Sequence, residues 1–169
     1  MTSEQCLDIL LEKSGNTWVS KEIRYDDISK ILSDLPTKAG IYQIKTTTPL
    51  SLLSMYSERE DKAHYNFKKK IQESLQLKNF IIQENVQKGY IVYTGHQKSL
   101  RQRCREHFKG SRGTGCLNIF EFKELREYQW WFEYIEIASF PYLKDSKLIR
   151  TYLEQLHRAN IGWPVLCSQ

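Results

Sequence analysis

An α+β domain around a small central sheet is the fold class this sequence predicts, and three observations carry it. Three separated runs are rich in β-branched and aromatic residues: Ala39–Ile44 (AGIYQI), Tyr90–Thr94 (YIVYT) and Trp130–Ile137 (WWFEYIEI). Helix signatures follow the second and third runs, giving the order β, insertion, β, α, β, α. No Pro/Gly/Ser-rich linker divides the 169 residues, which predicts one domain over 1–169.

The elements follow in chain order. Residues 1–37 read as a helical extension. Its first helix runs from Ser3 to Lys13, with Cys6, Leu7, Ile9, Leu10 and Leu11 as its apolar part, and Ser14-Gly15-Asn16 ends it. A second short helix spans Asp26 to Leu32, and Pro36 then imposes an extended entry to the first strand. Residues 46–88 form an insertion between the first two strands. Within it Ala63, Phe67, Ile71 and Leu75 recur every four residues, predicting a helix from Glu60 to Leu77, and Phe80–Ile82 is a candidate short strand. The second strand is closed by Gly95. Ser99 then provides an N-cap and Gln102 the third-position partner of a capping box. Residues 109–118, with Gly110, Gly113 and Gly115, form a loop. The last helix runs from Ser146 to Ala159, with an apolar arc of Leu148, Ile149, Tyr152 and Leu156 roughly opposite Glu154, and is stopped by Gly162 and Pro164.

Composition narrows the function. Apolar residues make up 40% and charged residues 27%, ordinary values for a water-soluble globular chain, and no apolar run is long enough to span a bilayer. Glu4 and Asp8 interrupt the first segment, unlike a secretory signal. Cys6, Cys104, Cys116 and Cys167 are scattered without a CxxC pair, which predicts a reduced, cytoplasmic setting. The net charge of +5 by itself means little more than solubility. Its distribution means more, because Arg101, Arg103, Arg105, His107, Lys109 and Arg112 crowd into twelve residues broken by a single acid, Glu106. With Lys98, and with Lys68, Lys69 and Lys70 in the insertion, these are the candidate contacts to a polyanion backbone. The ordinary alternative for the lysine run is a solvated helix face.

In the helix after Gly95, Leu100, Cys104 and Phe108 share one narrow arc that faces the core. Arg103 and His107, four residues apart, project together from one edge of it, and Arg101 and Arg105 lie on the other. A guanidinium beside an imidazole suits a phosphate: the first supplies permanent, fork-shaped donors and the second can carry a proton. Tyr42 and Tyr93 lie in strands, each beside a glycine. Taken singly, a strand tyrosine is usually a core aromatic.

Together these residues resemble a known signature. Gly40-Ile41-Tyr42, then Tyr93-Thr94-Gly95, then Leu100-Arg101-Gln102-Arg103 with His107, then Leu153-Glu154 on a late helix are similar to the motifs of the GIY-YIG nuclease superfamily. The resemblance runs from Lys38 to Cys167 with one large gap. It implies a three-stranded antiparallel sheet flanked by helices, and metal-dependent hydrolysis of a phosphodiester to 5′-phosphate and 3′-hydroxyl ends. It assigns Tyr42 to activation of the attacking water, Tyr93 to positioning that water or the phosphate, and Arg103 to the charge that grows on phosphorus. His107 would relay a proton, and Glu154 would hold one divalent ion, Mg²⁺. The sequence departs from the pattern in three places. The second motif reads YTG, some forty residues replace a tight hairpin, and Cys167 stands where the family often has an asparagine after the proline. A stand-alone domain with an internal insertion resembles the restriction-enzyme branch, which implies site-specific cleavage of double-stranded DNA by a homodimer with no membrane partner.

Other chemistries are less well supported. Cys104, His107 and Cys116, with His157 or Cys167, have a loose zinc-like spacing, but no paired knuckle is present. The glycine loop lacks the GK[ST] ending of a phosphate loop, and no GxSxG occurs. The serious alternative is a non-catalytic nucleic-acid-binding domain in which Trp130, Trp131, Phe132 and Tyr134 form a stacking surface, although strand aromatics are more often core. A repair-type, branched-DNA or RNA-directed nuclease of the same fold is the other.

Overall fold

The computed structural model describes residues 18–57, 65–111, 115–140 and 143–167, with Thr2, Glu4, Gln5 and Asp8. Glu4, Gln5 and Asp8 are helical, within the helix expected over Ser3–Lys13; the rest of that helix, the start of the helix expected from Glu60, and Arg112 with its neighbours in the glycine loop lie outside the described residues. Among the described residues no helix is long and apolar enough to cross a membrane.

The structure is α+β, and its sheet is antiparallel throughout, but it has four strands and not three. These are β1 (Val19–Glu22), β2 (Gly40–Thr46), β3 (Tyr90–Gln97) and β4 (Trp130–Glu136), in the order β1-β4-β2-β3. The added strand falls in the segment expected to be only helical. Its sequence, VSKE, carries one strong β-former, and three of its four residues are exposed. It is a strand because β4 supplies a ladder from Val19↔Tyr134 to Glu22↔Trp131, and its Lys21 and Glu22 suit an unpaired edge.

Both faces of the sheet are covered, which is why β2 is buried along nearly its whole length. Tyr42 and Ile44 point to the side of α4 (Leu100–Lys109), where Leu100, Cys104 and Phe108 are fully buried as the spacing required. Ile41 points the other way, to Ile135, Ile137, Phe140 and Leu153 of α5 (Lys147–Ile161). The register between β2 and β3 slips at Ile44/Lys45, and Val92 and Tyr93 both join the Tyr42 side of the core. β3 does not stop at Gly95. It continues to Gln97, with Gly95 opposite Tyr42 and His96 opposite Ile41.

Near the first strands, α1 (Ile28–Asp34) lies two residues beyond its expected bounds and buries Ile28 and Leu32. The 46–88 segment contains α2 (Leu50–Leu53) and α3 (Phe67–Leu75). Phe67 and Ile71 enter the same core cluster as Tyr42, whereas Leu75 is 51% exposed. Ser74 takes the inward place instead and donates to the Val165 carbonyl at 3.1 Å. Phe80–Ile82 is no strand: a single 3-10 turn leads to one isolated bridge between Ile81 and Trp163.

In β4, Trp130, Phe132 and Tyr134 are buried in the core, as expected of strand aromatics, and Trp131 is half-buried beneath the Lys45 ammonium, which leaves the stacking alternative without its surface. In α5 the apolar arc of Leu148, Ile149, Tyr152 and Leu156 is only partly inward: Ile149 and Leu156 pack against the Ile41 cluster, while Leu148 is 77% and Tyr152 39% exposed. Arg150, Leu153, Glu154 and His157 face the sheet, each of the three polar side chains carrying a partner with it. Glu154 is therefore an inward carboxylate.

Candidate active site

Tyr42 is the hub of a polar cluster between β2, β3 and α4. Its hydroxyl lies 2.8 Å from Nε2 of His107 and receives a hydrogen bond from Nε of Arg103 at 3.1 Å. Two glycines make this possible. A Cβ on Gly95 would run into the Tyr42 hydroxyl, and one on Gly40 would run into the Ile135 carbonyl and the Leu100 side chain. Ser99 caps α4 by accepting from the Gln102 amide. The return half of the capping box is absent, because the Gln102 side chain instead donates to Glu106 at 2.9 Å.

The hydrogen bonds settle the tautomer of His107. Its Nδ1 accepts from the Leu117 amide at 3.2 Å, so the ring proton is on Nε2 and is donated to the Tyr42 oxygen. A second ring proton would face the Leu117 N–H. In agreement, burial, followed by the Arg103 charge, holds the imidazole well below its ordinary pKa. Tyr42 thus accepts from two fixed donors, an arrangement that favours a phenolate oxygen. Burial opposes it more strongly and keeps the phenol well above its ordinary range, with Arg103 pulling back only part of the way. Arg103 itself stays charged: Tyr42, Glu106 and Tyr93 more than offset its burial.

Tyr93 stacks on Tyr42 with ring centroids 6.3 Å apart and lies 4.8 Å from the His107 ring. It is half-buried where Tyr42 is only 1% exposed, so the cluster is approached across Tyr93. Glu154 belongs to the same neighbourhood. Burial raises its pKa, against the charge and hydrogen bond of Arg158 and then the charge of Arg103, and its own charge raises both phenols. The structure therefore brings Tyr42, Tyr93, Arg103 and His107 into one cluster, whereas the contacts of Glu154 are with Arg158 and His96 and its charge reaches the two phenols from there. A cavity of about 310 Å³ lined by Tyr25, Phe108, Phe120 and Arg126 includes none of these side chains.

Could Glu154 hold a metal? Among the described residues no three His, Cys, Asp or Glu side chains are grouped as a metal cage. One Glu154 oxygen is ion-paired with Arg158, while the other lies 3.7 Å from Nε2 of His96. Thr151 spends its own proton on the Lys147 carbonyl, so His96 donates to the Thr151 hydroxyl at 3.1 Å. The second carboxylate oxygen thus keeps lone pairs for a ligand. That donor set fits a hard ion such as Mg²⁺, which keeps several waters and needs only one or two carboxylates besides phosphate oxygens. It does not fit an all-protein zinc site. His107 spends both ring nitrogens on other partners, and the Cys116 thiol donates to the Ser111 carbonyl.

Three residues of this neighbourhood escaped the sequence reading. Glu106 appeared only as an interruption in a basic run. It is 5% exposed and takes Arg103 Nη1 at 2.9 Å, fixing the guanidinium against Tyr42. Its spacing of three from Arg103 was the available signal. Arg158, one turn after Glu154, donates from Nε to the Thr94 hydroxyl at 2.7 Å and from Nη2 to the Thr94 carbonyl at 3.1 Å. The same nitrogen lies 3.4 Å from the Cys167 sulfur. Cys167 also accepts from the Thr94 amide at 3.3 Å, and burial raises its thiol pKa. His96, the third, follows Gly95 directly in β3.

The remaining basic residues are more dispersed. Lys98, Arg105 and Lys109 are exposed along α4 and its entry. Arg101 is engaged inside the protein, donating to the Leu35 and Ser33 carbonyls at the end of α1 at 2.7 and 2.8 Å. In α3, Lys68 is exposed, whereas Lys69 and Lys70 both approach Glu73, Lys70 at 3.0 Å. Compared with family models, with curated proteins and with solved structures, the chain finds no match.

Proposed function

We propose that this chain is a metal-dependent endonuclease of the GIY-YIG type that hydrolyses phosphodiester bonds in double-stranded DNA. The observation that carries the reading is the Tyr42 oxygen held between Arg103 and His107 beneath the glycine of the YTG motif. Glu154 lies close enough to change the proton affinity of both tyrosines. Side chains from three motifs distant in sequence meet around the Tyr42 oxygen, and the carboxylate of the fourth, Glu154, lies beside them paired with Arg158.

In this reading Tyr42 gives up its own proton to solvent when substrate and metal ion are in place, and the resulting phenolate orients the attacking water and takes its proton. His107 lends its Nε2 proton as a hydrogen bond to that oxygen as negative charge develops there. Arg103, permanently charged and locked by Glu106, faces the charge growing on the phosphoryl oxygens. Tyr93, the more exposed phenol, positions the phosphate or the water. Glu154 would hold the divalent ion, whose chemistry when bound is to stabilise the leaving oxygen and to neutralise the carboxylate that raises both phenols. The exposed Lys98, Arg105 and Lys109 extend along the same helix as phosphate-backbone contacts, whose binding would weaken with salt. The restriction-type assignment, with a homodimer making two cuts, is the finer part of the proposal.

Incubation of the purified chain with long duplex DNA and Mg²⁺ tests the reading. Cleavage to 5′-phosphate ends is expected, and its loss in Arg103→Ala and in Glu154→Ala. Discrete fragments support site-specific cutting and a smear supports a nonspecific enzyme. Intact DNA in every divalent metal, with affinity retained, would assign the fold to binding alone.

A further inference from the structure

Glu154 faces the candidate site with a cation already on it. Arg158 is paired with one carboxylate oxygen from the next helical turn, and both side chains are about one-tenth exposed. The guanidinium is not a loose surface group that happens to fold over. Thr94 takes two of its hydrogen bonds, Cys167 takes a third contact, and its carbon lies 5.0 Å from the centre of the Trp163 ring. Those partners come from β3 and from the segment after α5, so the charge is fixed in position by three parts of the chain.

We propose that Arg158 is a positioning residue that acts as the resident counter-cation of Glu154, and that a divalent ion gains this carboxylate only against it. The inference rests on the reading of Glu154 as the metal ligand. Like charges a few ångströms apart and sheltered from water repel strongly, and a carboxylate oxygen shared with a guanidinium is a poorer donor to a second cation. The consequence is a site with low affinity for metal in the free protein. His96 presents its N–H to the Thr151 hydroxyl in the same region, 3.7 Å from the other Glu154 oxygen. Arg158 thereby sets a threshold concentration of cation below which Glu154 remains paired internally.

Mn²⁺ titration of the full chain, followed by electron paramagnetic resonance of the free ion, tests this without any cleavage assay. Wild type, Arg158→Met, Glu154→Gln and the double variant are compared at one pH and ionic strength, with circular dichroism to verify folding. The expected result is at least a tenfold lower dissociation constant in Arg158→Met, with that gain abolished in the double variant. Equal or weaker binding in a folded Arg158→Met, while Glu154→Gln still removes the wild-type site, overturns the role of Arg158 and leaves Glu154 as a ligand. Binding that is indifferent to Glu154 in both backgrounds removes the metal reading itself, and the inference falls with it. Should Arg158→Met fail to fold, the wild-type protein answers directly. The Arg158 Nε–H resonance is expected to shift over the same Mg²⁺ range that moves the Glu154 carboxylate carbon, and an unmoved resonance over that range overturns the proposal.

Discussion

At the scale of single residues, the chemistry turns on one oxygen. Tyr42 is buried, yet its hydroxyl has two donors aimed at it, so removing that oxygen leaves the His107 Nε2–H and the Arg103 Nε–H facing nothing. The stability cost of Tyr42→Phe should be about 1–3 kcal/mol, the price of buried donors left unpaired. The loss of cleavage should be larger, on the order of 10²-fold or more, if the phenol carries a proton in the reaction. Thermal melts read beside single-turnover rates separate the two effects. A rate that falls no further than the folded fraction would show that Tyr42 is only a core aromatic. This residue was legible in the sequence because Gly40-Ile41-Tyr42 and Tyr93-Thr94-Gly95 are local patterns. Glu106 was not, because its role depends on being drawn inward by Arg103, and nothing in a helical run of mixed charge marks which acid will be buried.

Elements were legible where the local pattern and the tertiary partner agreed. The arc of Leu100, Cys104 and Phe108 identified the inner face of α4, and all three are fully buried. In β1 the tertiary partner decides alone, since a VSKE segment becomes a strand only because β4 offers it a ladder. In α5 the two conflict. The larger apolar arc is turned partly outward because Arg150, Glu154 and His157 find partners in Asp145, Arg158 and Gln43, which lowers the cost of burying them. Substitutions distinguish the observed rotation from the one the sequence predicted. Leu148→Asp, at a position 77% exposed, should change stability by no more than about 0.5 kcal/mol. Leu153→Ala, at a position with no exposed surface, should cost about 2–5 kcal/mol. Urea unfolding of the two variants measures both, and a large loss in Leu148→Asp would mean that the helix packs through its apolar arc after all.

Across the whole molecule, a hydrogen-bonded chain crosses the sheet on the α5 side. Ser20 in β1 donates to Glu133 in β4 at 3.0 Å, and the Gln43 amide nitrogen in β2 donates to the other Glu133 oxygen at 2.5 Å. That orientation points the Gln43 carbonyl oxygen at His157 in α5, which donates to it from Nε2 at 2.7 Å. The His157 Nδ1 is buried and has no partner among the described residues, so a second proton on the ring would go unsatisfied. Burial, with the Arg158 charge as the second cause, lowers its pKa from 6.5 to about 4. A folded pKa below the unfolded one means that the unfolded chain takes the proton first. The contribution is therefore complete above about pH 6.5, declines as the pH falls toward 4, and is constant below that. Its full size is roughly 3 kcal/mol, a large share of the 5–15 kcal/mol typical of a domain. His107 acts in the same direction from the opposite face of the sheet. Urea unfolding at pH 7.5, 5.5 and 4 should show wild type losing about 3 kcal/mol more than His157→Gln, in which the amide keeps a donor to Gln43 but has no proton to gain. The difference between the two proteins isolates His157 from every carboxylate that titrates in the same range. Parallel losses in both would mean that His157 enters the folded state already charged, and the chain that ties α5 to β1, β2 and β4 would then have to be redrawn around an imidazolium.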